Sequence, residues 1–375
     1  MGRFPSKRLR GPLRGVSGRA LHKHRGMTMK RSLFHLMVMA LSLAVACVFA
    51  WGEVSSARAE YTGPRLRFRL AHPCPPGHHT TLAFEMFGDI VARKSGNKIK
   101  VHVFPNAVLG SDVVMIKGAQ SGGLEMAVSS SPNLTRFVPS LMVFDLPYIT
   151  TPEYQKNLYA SVDHGKLRTY FQKKFNEVGL EPIMFCEYGY RDFFSVKKPI
   201  RSVEDLAGIV VRTTASPVET EVAKALGMHP KTLAWGETHT ALREGIVEAE
   251  GNTFSFLLNA EHEELLKYGF ISRHNYGMQI LSANRQWWEQ LDPQAKQIIR
   301  EAADEALEYQ REVLAPQSEE QARRRFERDG IVVVEPTDAM MDEMRRKTRP
   351  VWDIFRRSVT QELIDLVAET QRDRR

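Results

Sequence analysis

Segments with strand-like alternation and segments with helical spacing take turns along most of the chain. That order restricts the available folds more than any other feature of the sequence. LRFRLAHP (66–73) alternates apolar and polar residues. HTTLAFEMFGDIVARKSG (79–96) places apolar residues at helical spacing and stops at Gly96, and KIKVHVFP (98–105) alternates again. A β-α-β opening is the grammar of a mostly parallel sheet covered by helices. SDVVMIKGAQSGG (111–123) reads as a glycine-stopped helix, LEMAVSSS (124–131) as a short strand and LMVFDLPYI (141–149) as an apolar stretch. TPEYQKNLYASV (151–162) reads as a helix capped by Thr151, and GKLRTYFQKKFNEVG (165–179) as an amphipathic helix. EPIMFCEYGYRDFFSV (181–196) has strand composition and GIVVRTT (208–214) is the next strand. SPVETEVAKALG (216–227) is a helix capped by Ser216 and stopped at Gly227, and TALREGIVEAEGN (240–252) a helix and a short strand. Residues 291–330 carry one long helical pattern, which Pro316 should kink or break. IVVVEP (331–336) adds a strand, and two charged helices finish the chain. No repeat or low-complexity linker interrupts the order. For 375 residues the expectation is α/β, with two α/β domains around a cleft.

The net charge of +8 suggests nucleic acid until it is located. Residues 1–59 hold eleven Lys and Arg against Glu53 alone, leaving 41 basic and 43 acidic residues in the remainder. A body of net charge −2 has no global field to hold DNA, so nucleic acid is discarded as a partner. From Met29 the leader shows Lys30 and Arg31, an apolar run from Leu33 to Trp51, and Ala57-Arg58-Ala59 before Glu60. This is the layout of a cleaved secretory signal peptide (core 29–59) with cleavage near Ala59; an uncleaved anchor is the alternative. Residues 1–28 do not fit a signal peptide, so the true start is Met27 or Met29 if not Met1. Export implies an oxidising compartment. Cys74 and Cys186 remain in the mature chain, and their spacing leaves a disulfide open.

The chain has no G-x-S-x-G elbow, H-E-x-x-H helix, P-loop or C-x-x-C pair. His78 and His79 are adjacent, a poor metal pair on a helix. His262, among Glu261, Glu263 and Glu264, reads as part of a solvated face. No metal, cofactor or catalytic set is expected. What stands out is GIVVRTT, where an apolar strand runs into Arg212. A guanidinium there needs a partner, from the chain or from a ligand. Arg191, in EYGYRDFFS, sits in the preceding strand. Two guanidinium forks at the ends of successive strands suit a carboxylate or other oxyanion. Trp235, in LAWGE, supplies an apolar wall or fills a core; Asn252, in AEGNTFS, offers donor and acceptor.

YGYRDFFSVKKPIRSVEDLAGIVVRTTASP and LGMHPKTLAWGETHTALREGIVEAEGN, with FPNAVLGSDVVMIKGAQSGGLEMAVSSSPNLTRFVPSLMVFDLPYI upstream, resemble the DctP-type solute-binding proteins of TRAP (tripartite ATP-independent periplasmic) transporters over residues 65–357. The resemblance implies a periplasmic-binding-protein-like fold: two α/β domains around a ligand cleft, joined by crossing strands and spanned by the 292–329 helix. The expected division is residues 60–188 plus about 275–315, and 189–274 plus about 316–375. By the same resemblance Arg212 is the principal carboxylate anchor and Arg191 the second anion contact. Asn252 matches the family's Q-E-N-P asparagine and Trp235 its aromatic cleft wall, while Ser130 and His72 fall where the first domain reaches the ligand. The motif departs from the pattern as Glu250-Gly251-Asn252-Thr253, and His239 replaces the usual tyrosine. Glu250, close to an anion site, either orients an arginine or meets a hydroxyl or ammonium of the ligand.

The expected function is a periplasmic receptor, monomeric and not an enzyme. It would capture a small organic anion and deliver it to integral-membrane TRAP permease subunits. An exported ligand sensor, and an exported enzyme using Cys186 with a histidine, are the rivals. The ligand is open among dicarboxylates, hydroxy or keto acids, aromatic acids, amino acids and sulfonates.

Overall fold

The computed structural model describes residues 60–373; the leader expectations lie outside them. Nine strands form one sheet: β1 (Leu66–Ala71), β2 (Ile99–Phe104), β3 (Met126–Ser130), β4 (Leu180–Ser195), β5 (Val210–Thr213), β6 (His229–Thr232), β7 (Ala249–Asn252), β8 (Tyr268–Asn284) and β9 (Val332–Val334). Their order is β2-β1-β3-β8-β4-β7-β5-β6, with β9 beside β8. β1, β2 and β3 are mutually parallel, as are β5, β6 and β7. The two parallel groups lie at opposite ends of the long antiparallel pair β4–β8. β3 pairs with Gln279–Ala283 of β8, whereas β7 pairs with Asp192–Ser195 of β4. Each parallel group is an α/β half of its own, and the two long strands cross between them. The two-domain α/β expectation holds.

The crossing pair is irregular where the halves meet. The register slips between Glu187 and Gly189, and Gly189 faces Gly277 directly. Gly189 has φ 116°, which side-chain-bearing residues avoid, and a Cβ there would lie 3.0 Å from Thr253 Cγ2. Gly189→Ala should therefore lower stability by about 1–3 kcal/mol in urea unfolding; an unchanged midpoint would show that the backbone relaxes there. At Gly277 a Cβ would lie 2.9 Å from Tyr188 Cδ1, so glycine lets the Tyr188 ring lie flat on β8. A second slip follows Arg191, where Phe193 pairs with Phe270 and Arg273 adopts φ 43°. The Asp192 carboxylate accepts the Arg273 N–H at 2.8 Å, in place of a ladder carbonyl.

Pro316 does not break the long helix. Pro293–Tyr309 runs into a π-helical turn, Gln310–Leu314, and on through Ala315–Arg328. The Ala315 N–H reaches back five residues to the Gln310 carbonyl, and this widened turn accommodates the proline ring. The Gln310 side chain uses the turn to bond both the N–H and the carbonyl of Glu187, at 3.0 and 2.8 Å. The helix is thereby pinned to β4 where its register slips. On one side of the sheet Phe68, Phe84, Phe87, Met184, Leu281 and Ile299 form a core under this helix and His79–Lys94. Phe144, Phe171, Phe185, Val211, Val222 and Leu363 belong to the largest core, which carries the C-terminal helices. Cys74 and Cys186 are both free and buried, so no disulfide forms among the described residues.

Candidate functional site: a closed cleft with two buried arginines

A narrow cavity of about 20 Å³ lies between the two halves. Pro73, after β1, Asp112, at the start of helix Asp112–Gln120, and Ser130, ending β3, line it from one half. Arg191, Arg212, Thr214, Trp235 and Phe256 line it from the other. Tyr188 and Gln279 reach it from the crossing strands β4 and β8, and Asn133 closes the rim.

Arg212 ends the buried side of β5 at 3% exposure. Its Nε and Nη2 donate to the Leu233 carbonyl at 3.2 and 3.0 Å, and among the described residues no carboxylate lies within ion-pair distance. Its guanidinium carbon sits 5.7 Å from the Trp235 ring centre. Burial, and then the neighbouring charge of Arg191, depress its pKa; Glu250 and Glu219 oppose that from further away. Arg191, 1% exposed, is better supplied. Its Nη2 donates to the Gly251 carbonyl and its Nε lies 3.6 Å from Glu219. Burial lowers its pKa, but the opposing charges, Glu219 foremost, outweigh it and the net direction is up. Burial, reinforced by Glu219, pushes the Asp145 carboxyl well up, so Asp145 holds its proton and Glu219 is the counter-charge to Arg191. Among the described residues Arg212 finds a carbonyl but no carboxylate to pair with.

The opposite wall is acceptor-rich. Asp112 Oδ1 accepts Ser129 Oγ–H at 2.7 Å and the Ser130 N–H at 3.4 Å. Gln279 Oε1 is buried without a partner. The aromatic side is tightly packed: Phe256 meets Tyr188 and Trp235 edge-on, with ring centres 5.0 and 4.7 Å apart.

Of the residues singled out in the sequence, Arg191, Arg212, Trp235 and Ser130 line the cavity; His72, Asn252 and Glu250 do not. His72 is fully buried against Phe84, and burial pulls its pKa down to about 3. Asn252 stands one shell back, where its Oδ1 accepts the Tyr188 hydroxyl at 2.7 Å. Glu250 turns away and meets His262 Nδ1 at 2.6 Å. His262 is not on a solvated face: it is 2% exposed and stacks on Trp235. Tyr188, Asp112, Gln279 and Phe256 were missed. Asp112 carried one usable signal, a carboxylate opening a helix directly after a strand–loop segment. Among the described residues no group of three metal-ligating side chains converges.

Two α/β halves closing on a small cavity with an underpaired buried cation define a solute-binding protein of the periplasmic type. The chain belongs to the DctP family, bacterial extracellular solute-binding protein family 7, whose pattern matches residues 70–358. It is 27% identical to the C4-dicarboxylate-binding protein DctB of Bacillus subtilis, over 80% of this chain and 86% of that one. Its fold is similar to that of a TRAP periplasmic solute-binding protein from Ochrobactrum anthropi, in which the C-terminus occupies the ligand-binding pocket. The identity is 30% and the TM-score 0.72, covering 82% of this chain and 95% of that one. It is also similar to a Bradyrhizobium TRAP periplasmic solute-binding protein in complex with galacturonate, with 28% identity, a TM-score of 0.75 and 81% and 99% coverage. The resemblance read from the motifs is borne out. Among the described residues no helix is long and apolar enough to cross a membrane.

Proposed function

We propose that this protein is exported, with cleavage near Ala59, and captures a small organic anion through a carboxylate held by Arg212 and Arg191. The observation that carries the reading is Arg212, buried without a counter-carboxylate at the edge of a cavity. A bidentate carboxylate would supply the missing charge and two acceptors at once. Asp112 and the orphan Gln279 Oε1 face the same cavity, and the glutamine oxygen lacks a donor. The ligand that fits both walls is a carboxylate bearing hydroxyl or ammonium groups.

The halves divide near Gly189 and Gly277, close to the expected boundaries of 188/189 and 274/275, and turn about those two glycines as the cleft opens. The loaded, closed form is the one delivered to a TRAP-type membrane permease. Binding without catalysis fits the cleft, because Cys186 does not line it and burial pushes that thiol up.

The test is a thermal-shift screen of the processed protein against hydroxy acids, dicarboxylates, amino acids and sulfonates, with mass spectrometry of denatured protein to detect an acid retained from expression. A ligand at a thousand times its Kd stabilises by about 4 kcal/mol. Hydroxylated or amino carboxylates should give the largest shifts. If no acid stabilises the protein and none is retained, the reading fails.

A further inference from the structure

Glu261 has φ 60°, and this left-handed turn swings His262 inward at the start of the short turn His262–Glu264. Glu250 lies in β7 directly beside Arg212 of β5. Its Oε1 meets His262 Nδ1 at 2.6 Å with both side chains buried. Contact with a carboxylate makes Nδ1 the donor and sets the plane of the imidazole. Burial alone would raise the Glu250 pKa, but His262 and the two arginines outweigh it and the net direction is down, so the carboxylate is ionised.

The oriented ring lies nearly parallel to the Trp235 indole, 4.6 Å away and tilted by 19°. Trp235 is the first residue of helix Trp235–Arg243 and is only half buried, so neighbouring rings, rather than burial, choose its rotamer. Phe256 meets it edge-on, and Arg212 lies 5.7 Å from its ring centre. Glu250, His262, Trp235 and Arg212 thus form a continuous row from buried carboxylate to cleft wall. All four fall within residues 212–262, so the row does not depend on closure of the other half.

We propose that His262 and Glu250 are a positioning pair that locks the Trp235 indole beside Arg212 and so sets the affinity of the anion site. The proposal rests on the reading of the cleft given above. His262 does not line the cavity, so it acts through Trp235. Fixing the indole before the ligand arrives removes an ordering cost from binding.

The experiment replaces the two contacts of His262 separately. His262→Asn keeps a donor for Glu250 and loses the stacked ring; His262→Phe keeps the ring and loses the donor. Both are made in protein labelled with 5-fluorotryptophan, with Trp235→Phe assigning the resonance, and are compared with Arg212→Ala. The probes are succinate and galacturonate. In His262→Asn the Trp235 line of ligand-free protein should broaden or split, and affinity for the better probe should fall about tenfold, with the melting temperature close to that of the parent. In His262→Phe, which keeps a ring but loses the Glu250 bond that orients it, the Trp235 line should broaden less than in His262→Asn; a line as narrow as the parent's would overturn the part given to Glu250. If His262→Asn leaves the Trp235 line and the affinity unchanged while Arg212→Ala loses binding, the positioning role is wrong and the cleft reading stands. If the parent binds neither probe, an unchanged Trp235 line in His262→Asn still overturns the proposal. If Arg212→Ala binds a probe as the parent does, the cleft reading itself fails.

Discussion

Arg212→Ala should abolish measurable binding of the ligand identified in the thermal screen while leaving the empty protein as stable as the parent, or more so. The two halves of this result have one cause. Arg212 is buried beside a like charge, among the described residues bonds only the Leu233 carbonyl, and has its pKa depressed by burial and by Arg191. In the empty cleft its charge is poorly compensated, and removing an uncompensated buried charge costs the fold little. With a carboxylate present the same charge becomes one side of a desolvated ion pair. Losing one partner of such a pair costs about 2–5 kcal/mol, or roughly 30-fold to several thousandfold in Kd. Arg212→Lys should recover part of the affinity, because it keeps the charge and loses the fork. Titration calorimetry and urea unfolding on the same preparations decide the matter. Submicromolar affinity in the alanine variant would sink the anchor role. A destabilisation of several kcal/mol in the empty variant would show that Arg212 is structural instead. Arg191 predicts the contrast: it pairs with Glu219 and the Gly251 carbonyl, so its removal should damage fold and binding together.

What was legible in the sequence was whatever a local pattern encodes. β1, β2, β3 and β5 were visible because short alternating or apolar runs stand between glycine-stopped helices. Arg212 was visible because a guanidinium at the end of an apolar run contradicts its surroundings. The 17-residue β8 was not read, although it carries half of the crossing pair. Its alternation is broken by Arg273, His274, Asn275 and Gly277, where the register slips and polar groups are buried. Gln279 was lost with it. Pro316 was legible as a helix breaker, but the π turn that absorbs it depends on Gln310 finding Glu187, a partner 123 residues away. Glu250 and Asn252 were rightly noticed as polar residues at the end of a strand. Which way they turn is decided by Tyr188 and His262, each supplied by a different element. His262 was read as solvated because three glutamates flank it, and one left-handed residue reverses that.

Asp192→Asn should stabilise the protein at pH 8 and make little difference at pH 4. Asp192 is buried at the bulge of β4, and burial raises its pKa from 3.8 to about 7 despite the N–H bond and the charge of Arg273. The folded chain therefore holds a proton that the unfolded chain releases near pH 4. An acid with a raised folded pKa contributes stability that is complete below its unfolded pKa and is lost as pH climbs to the folded value. The window runs from about pH 4 to about pH 7, and above it Asp192 costs the fold the burial of a charge. At about 1.4 kcal/mol per unit, the loss across the window is at most on the order of 4 kcal/mol. Asparagine keeps the carbonyl oxygen that accepts the Arg273 N–H and never ionises. Glu319 is raised to about 7 by burial and titrates in the same interval, so the parent should lose stability there from two groups and the variant from one. Urea unfolding of both proteins at pH 4, 6 and 8 isolates the difference, since every other titration is common to the pair. A difference that does not grow with pH, or a less stable variant at pH 8, would mean that water reaches Asp192 at the bulge and that β4 and β8 part there in solution.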